Sequence, residues 1–131
     1  MINKVVARYR DGRMVKGTVT NFSPMRDRFH VVTSPDSSEE VHLADLKALF
    51  FVRSLDGDTR YQETKSFGPR QPGRRMVCEL SDGEKLTGYV MGYDPKRPGF
   101  FLIPGDSRSN NERVFVVNSA VRSVRWVDNL P

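Results

Sequence analysis

The 131-residue chain reads as an all-β protein made of two tandem five-stranded small barrels that arose by internal duplication. Three observations predict this. The first is a stretch written twice: Asp11–Val32, DGRMVKGTVTNFSPMRDRFHVV, returns 71 residues later as Asp82–Ile103, DGEKLTGYVMGYDPKRPGFFLI. At that offset Val6 recurs as Val77, Val19 as Val90, Pro24 as Pro95, Arg26 as Arg97 and Phe29 as Phe100. Fixed-period similarity without gaps marks a repeated structural unit. The second is punctuation: Asp11-Gly12 and Asp82-Gly83 are hairpin-turn pairs between strand-like runs. The third is a glycine inside each second strand, Gly17 and Gly88, where a strand bends sharply or another backbone comes close.

The elements follow in order. Residues 4–10 alternate Val6, Arg8 and Arg10 against Val5, Ala7 and Tyr9, a strand that Asp11-Gly12 closes. Met14–Phe22 resumes a strand through Gly17. Ser23-Pro24 and Asp94-Pro95 then fit positions i and i+1 of a type I turn. Phe29–Thr33 is a third strand, and the polar SPDSSEE after it reads as a loop, answered by the longer GDSRSNNER. Val41–Leu43 gives a fourth strand, Ala44-Asp45 a tight connection and Leu46–Val52 a fifth. The second copy supplies Val114–Val117 and Val121–Val127, at an offset that has grown to 75. LADLKALFF also suits a short helix, but its counterpart SAVRSVRWV is β-branched and alternating, which favours strand in both copies. The expected domains are 1–53 and 75–131, joined by a polar Gly/Pro-punctuated linker at 54–74 in which Tyr61 and Phe67 are candidate anchors.

Composition narrows the function classes. Each copy is near the lower size limit for an independent core, so the two are expected to pack together or on another chain. No apolar run approaches the ~20 residues of a membrane helix, and the N-terminus carries no signal-peptide core. A single cysteine, Cys78, excludes an internal disulfide and suits a reducing, cytoplasmic setting. The net charge is +5, from 21 basic and 16 acidic residues. The excess is mixed in sign along the whole chain, which reads as a solvated surface more than a dedicated nucleic-acid face.

The spacing of Gly17 to Phe22, and of Gly88 to Tyr93-Asp94, resembles the first motif of Sm-like proteins within the SH3-like barrels. That resemblance implies a small barrel scaffold. It does not carry over the family's RNA contacts. The turn regions read MRDRF and KRPGF without the expected Asn, and the strand-four-to-five regions read LAD and VNSA without Arg-Gly or Lys-Gly. Residues 1–53 are also similar to a bacterial domain of unknown function, which implies no activity.

Candidate ligand- or partner-binding residues are Phe22, Arg26 and Arg28 in the first copy and Tyr93, Lys96 and Arg97 in the second. A guanidinium matches carboxylate or phosphate bidentately, and aromatics beside loops receive extended peptides. The competing reading has each arginine folded back on its own turn and the aromatics filling the cores. Asp11, Gly12, Gly17, Asp82, Gly83 and Gly88 are expected to be structural turn and bend residues. Arg70–Arg74 spells RxxxR, similar to half of the cyclic-dinucleotide motif of PilZ domains, but no (D/N)xSxxG follows. His30 and His42 lack partners at metal spacing, and no catalytic or phosphate-cradling motif is present. Neither metal nor cofactor is expected. The function expected is a non-catalytic interaction module that binds protein, with regulation in a bacterium as its setting. The alternatives are nucleic-acid binding through the basic turns and, third, cyclic-dinucleotide reception.

Overall fold

The computed structural model describes residues 2–20, 22–57, 61–62, 64 and 66–127. Among these residues ten antiparallel strands form one open sheet. In chain order they are β1 (Asn3–Tyr9), β2 (Met14–Val19), β3 (Arg28–Ser34), β4 (Ser37–His42), β5 (Leu46–Val52), β6 (Arg74–Leu80), β7 (Lys85–Val90), β8 (Gly99–Pro104), β9 (Asn111–Val117) and β10 (Val121–Trp126). Single 3-10 turns at Leu43–Asp45 and Asn118–Ala120 precede β5 and β10. LADLKALFF is therefore a 3-10 turn followed by a strand, as its β-branched counterpart indicates. Among the described residues no helix is long and apolar enough to cross a membrane.

The spatial order is β10-β6-β7-β8-β9-β5-β1-β2-β3-β4. Register in one half is matched in the other. Val5 faces Gly17 and Met76 faces Gly88; Thr18 faces Val32 and Tyr89 faces Ile103; Phe29 faces Val41 and Phe100 faces Val116. Both hairpins close alike. The Gly12 amide donates to the Tyr9 carbonyl (3.1 Å) and the Gly83 amide to the Leu80 carbonyl (2.9 Å). The Asp11 and Asp82 carboxylates each accept the amide two residues on, at 3.0 Å. Gly12 and Gly83 sit at φ of 97° and 93°, where a Cβ is strained. Gly17 and Gly88 act differently. A Cβ on either would lie well inside contact distance of the Val32 or Ile103 carbonyl, so these glycines let β2 and β3, and β7 and β8, approach closely.

The halves meet along β5 and β9, which pair directly: Leu49 faces Phe115 and Phe50 faces Val114. Because successive side chains alternate between faces, this central pair serves two cores. Leu46, Leu49 and Phe51 of β5, with Phe115 and Val117 of β9, join Val5, Ala7, Phe29, Val31 and Val41. Ala48, Phe50 and Val52, with Val114 and Val116, join Met76, Cys78, Leu80, Phe100 and Leu102. The two cores thus lie on opposite faces of the β5–β9 ladder. A strand buried on both faces is apolar nearly throughout, as LKALFFV and VFVV are. Lys47 is the polar exception. Its ammonium reaches the Asp82 and Glu84 carboxylates at 2.6 and 2.7 Å, tying β5 to the second hairpin and holding the Asp82 carboxyl below its ordinary pKa.

Two stretches expected as loops are partly strand, with β4 beginning at Ser37 and β9 at Asn111. β4 lies at the sheet's rim, where Ser37–Glu40 are all exposed, so its sequence lacks the apolar alternation that betrays a strand. The described part of 54–74 is held against the second half. The Tyr61 hydroxyl and the Thr64 amide (2.8 Å) donate to the Asp106 carboxylate, and Phe67 packs edge-on against Tyr89. The Arg108 amide completes the set at 2.9 Å, and these donors pull the Asp106 pKa down to about 2. Asp58, Thr59, Arg60, Glu63 and Lys65 of the expected linker fall outside the described residues.

Candidate functional site: a groove between two matched turns

Two β-turns converge on one face. In the first, between β2 and β3, the Arg26 amide donates to the Ser23 carbonyl (3.1 Å) and the Met25 amide to the Ser23 hydroxyl (3.2 Å). In the second, between β7 and β8, the Arg97 amide donates to the Asp94 carbonyl (3.1 Å) and the Lys96 amide to its carboxylate (2.9 Å). Pro24 and Pro95 preset φ at the same position of each turn. Each turn is then tied to the 3-10 turn before the fifth strand of its half. The Leu43 amide donates to the Asp27 carbonyl, and the Asn118 amide to the Pro98 carbonyl, both at 2.8 Å. Here the halves diverge. The Asn118 side-chain amide also donates to the Asp94 and Arg97 carbonyls, at 3.1 and 2.8 Å. Leu43 has no such group and is buried in the first core.

Between the turns lies a groove of about 510 Å³, lined by Pro24, Met25, Arg26, Leu43, Pro95, Arg97, Pro98, Val117 and Asn118 among others. A neighbouring hollow of about 500 Å³ shares Pro24, Met25, Arg97 and Pro98 and adds Met91, Lys96, Phe100 and Phe101. Met25 is 89% exposed and Met91 69% exposed, apolar side chains left in water at the mouth. Methionine's unbranched thioether adapts to irregular partners, and clustered exposed apolar groups are characteristic of interaction sites.

The six candidate residues sort into three groups. Arg26, Lys96 and Arg97 gather at the groove and its neighbour. Arg97 lies 3.8 Å from the Asp94 carboxylate on its own turn, whereas the Arg26 guanidinium makes no hydrogen bond or ion pair among the described residues. Arg28 points elsewhere. It bonds Asp27 at 3.3 Å and Glu40 at 3.2 Å, which raises its own pKa and lowers that of Asp27. Phe22 and Tyr93 occupy equivalent positions with different surroundings. Phe22 is half-buried, edge-on to Phe29 and Phe51 of its own half and to Phe101 and Phe115 of the other, with centroids 5.2 to 6.4 Å away. It is a seam residue. Tyr93 packs on Phe100 and Trp126 at 5.0 and 5.6 Å, and burial pushes its phenol pKa up.

Sequence reasoning missed Met25, Met91, Leu43, Val117 and Asn118. Only Asn118 left a signal, as a polar residue opposite Leu43 in the repeat. Of the RxxxR pair, Arg70 is exposed and the Arg74 guanidinium stacks on Trp126 at 4.1 Å. Among the described residues no cluster of His, Cys, Asp or Glu could hold a metal ion. Cys78 is buried, and burial pushes its thiol pKa up to about 12, so the reactive thiolate is suppressed.

No curated protein and no solved structure matches the chain. Residues 1–128 match one family model, described as a family of unknown function, DUF6982. That match runs through both halves and the segment between them, and the chain belongs to this family.

Proposed function

We propose that the chain is a non-catalytic interaction module that captures an extended segment of a partner protein in the groove between its matched turns. The observation that carries this reading is the pairing of an apolar floor with Arg26, a cation at the rim with no side-chain hydrogen bond or ion pair among the described residues. A segment offering one apolar side chain to Leu43 and Val117 and one carboxylate to Arg26 or Arg97 suits that chemistry. Within this reading the chain is two tandem SH3-like, Sm-related barrels at 1–53 and 75–131, fused along a strand edge, with a regulatory role in a bacterial cytoplasm. To test it, random peptides displayed on phage are panned against the protein and the hits re-measured by fluorescence anisotropy. Ala44 is exposed and lines the groove, so Ala44→Trp fills it. Loss of binding of at least tenfold with Ala44→Trp and with Arg26→Glu is expected. Hits that bind both variants unchanged would remove the groove from consideration.

A nucleic-acid reading draws on the gathering of Arg26, Lys96 and Arg97 around the groove and the hollow beside it. Labelled single-stranded RNA and DNA at low and near-physiological salt separate the two readings. Binding that collapses steeply with salt and falls in Arg26→Ala/Arg97→Ala favours phosphate contacts; no binding at low salt retires them. Cyclic-dinucleotide reception is the third reading, and it rests on RxxxR alone.

A further inference from the structure

Among the described residues the sheet ends in two unpaired rims, β4 on one side and β10 on the other. Each has a counterpart already in use at the centre. At the offset of 75, β5 corresponds to β10 and β9 to β4, and β5 pairs with β9. The free rims are therefore the two partners of the central junction, each lacking its mate. We propose that the β10 rim of one copy pairs antiparallel with the β4 rim of a second copy, repeating between chains the junction that β5 and β9 make within one.

Register gives the contacts. Leu49↔Phe115 and Phe50↔Val114 in the central junction become Val124↔Glu40 and Arg125↔Glu39 between copies. The rims carry opposite charge: β10 is VRSVRW, with Arg122 and Arg125, and β4 is SSEEVH, with Glu39 and Glu40. Arg122 is held at home by Glu79 (3.0 Å), and Glu40 by Arg28 (3.2 Å). Arg125 and Glu39 are exposed and make no side-chain hydrogen bond or close ion pair among the described residues, although the Glu39 charge is felt at longer range by Tyr9 and Arg13; they are the pair that the register sets opposite each other. Charged rims guard against indiscriminate strand pairing, and opposite charges on the two ends allow one specific pairing. Such a junction is head-to-tail, so it closes into a ring or runs on as a filament according to the rotation at each step. It does not depend on the groove, which lies at the turns.

Sedimentation velocity over a range of concentrations at low salt tests this. The wild-type chain is expected to associate as its concentration rises. Arg125→Glu and Glu39→Arg place like charges across the junction, and each is expected to weaken association about fivefold to thirtyfold. An equimolar mixture of the two variants restores opposite charges at every junction and is expected to recover wild-type association, which also shows that both variants fold. A chain that stays monomeric throughout, single variants that associate like wild type, or a mixture that fails to recover would each overturn the proposal.

Discussion

The two turns that frame the groove share a backbone and differ in what holds them. Both are closed by the same carbonyl–amide bond, begin with a polar cap before proline, and hang from the 3-10 turn of their own half. The second is also stapled by the Asn118 side chain, whereas the first rests on Leu43, whose side chain has sunk into the core. The shared features follow from residues the repeat preserves: the proline, the capping position and the strand glycine. One unshared position decides how firmly each turn is held. The second turn is the more heavily bonded wall, and the first carries at its tip the exposed Met25 and Arg26, which has no ion pair among the described residues.

The largest expected effect tests the sameness of the halves. Gly17→Ala and Gly88→Ala each force a Cβ into a backbone carbonyl that has little room to retreat, and each should cost about 3 kcal/mol or more. Urea unfolding followed by tryptophan fluorescence and by far-UV circular dichroism checks this. Equal losses in one coincident transition are expected, because the central strands belong to both cores; a loss confined to one half would break the equivalence.

A smaller effect sharpens the difference between the turns. Asn118→Leu copies the first half into the second and strips a donor from the Asp94 and Arg97 carbonyls. A cost of about 1–3 kcal/mol is expected, with faster amide exchange at Lys96 and Arg97 and no change at Met25 and Arg26.

The smallest effect concerns the β8–β9 loop, longer than its β3–β4 counterpart and the site of Asp106. With its folded pKa near 2, below the ordinary carboxylate value of about 3.9, Asp106 favours the folded state above roughly pH 4. That contribution fades as pH falls through about 2. Asp106→Asn should therefore unfold with a flatter acid limb and a lower melting temperature at neutral pH, read by thermal melts across acid pH.

The strands that alternate or repeat were legible in the sequence. Lys4 to Tyr9 and Leu46 to Val52 declare themselves by apolar content, and the glycine and Asp-Gly positions by their recurrence. The starts of β4 and β9 were not legible: Ser37–Glu40 are exposed on a rim strand and have the composition of a loop, and Asn111–Arg113 are polar although β9 lies between β8 and β5. The joining of β5 to β9 was hidden for another reason. Periodicity shows that alternate residues face opposite ways, but not that both faces are covered, so the Phe50-Phe51 pair gives no hint that its members enter different cores. At the site, the repeat exposed Arg26 and Arg97 as a matched pair. Exposure, which singles out Met25 and Met91, has no sequence signature.

The divided allegiance of β9 has a consequence during synthesis. The first core draws Phe115 and Val117 from near the far end of the chain. While the ribosome is still making the second half, β5 has β1 on one side and nothing on the other. Phe50 and Val52 then point into water, because the residues that cover them have not been made. A nascent chain of this kind presents an apolar strand with an open rim, the form most prone to pairing with the wrong neighbour. The protein must therefore be completed before either half is safe, and a truncated first half should associate with itself through the edge that β9 normally covers.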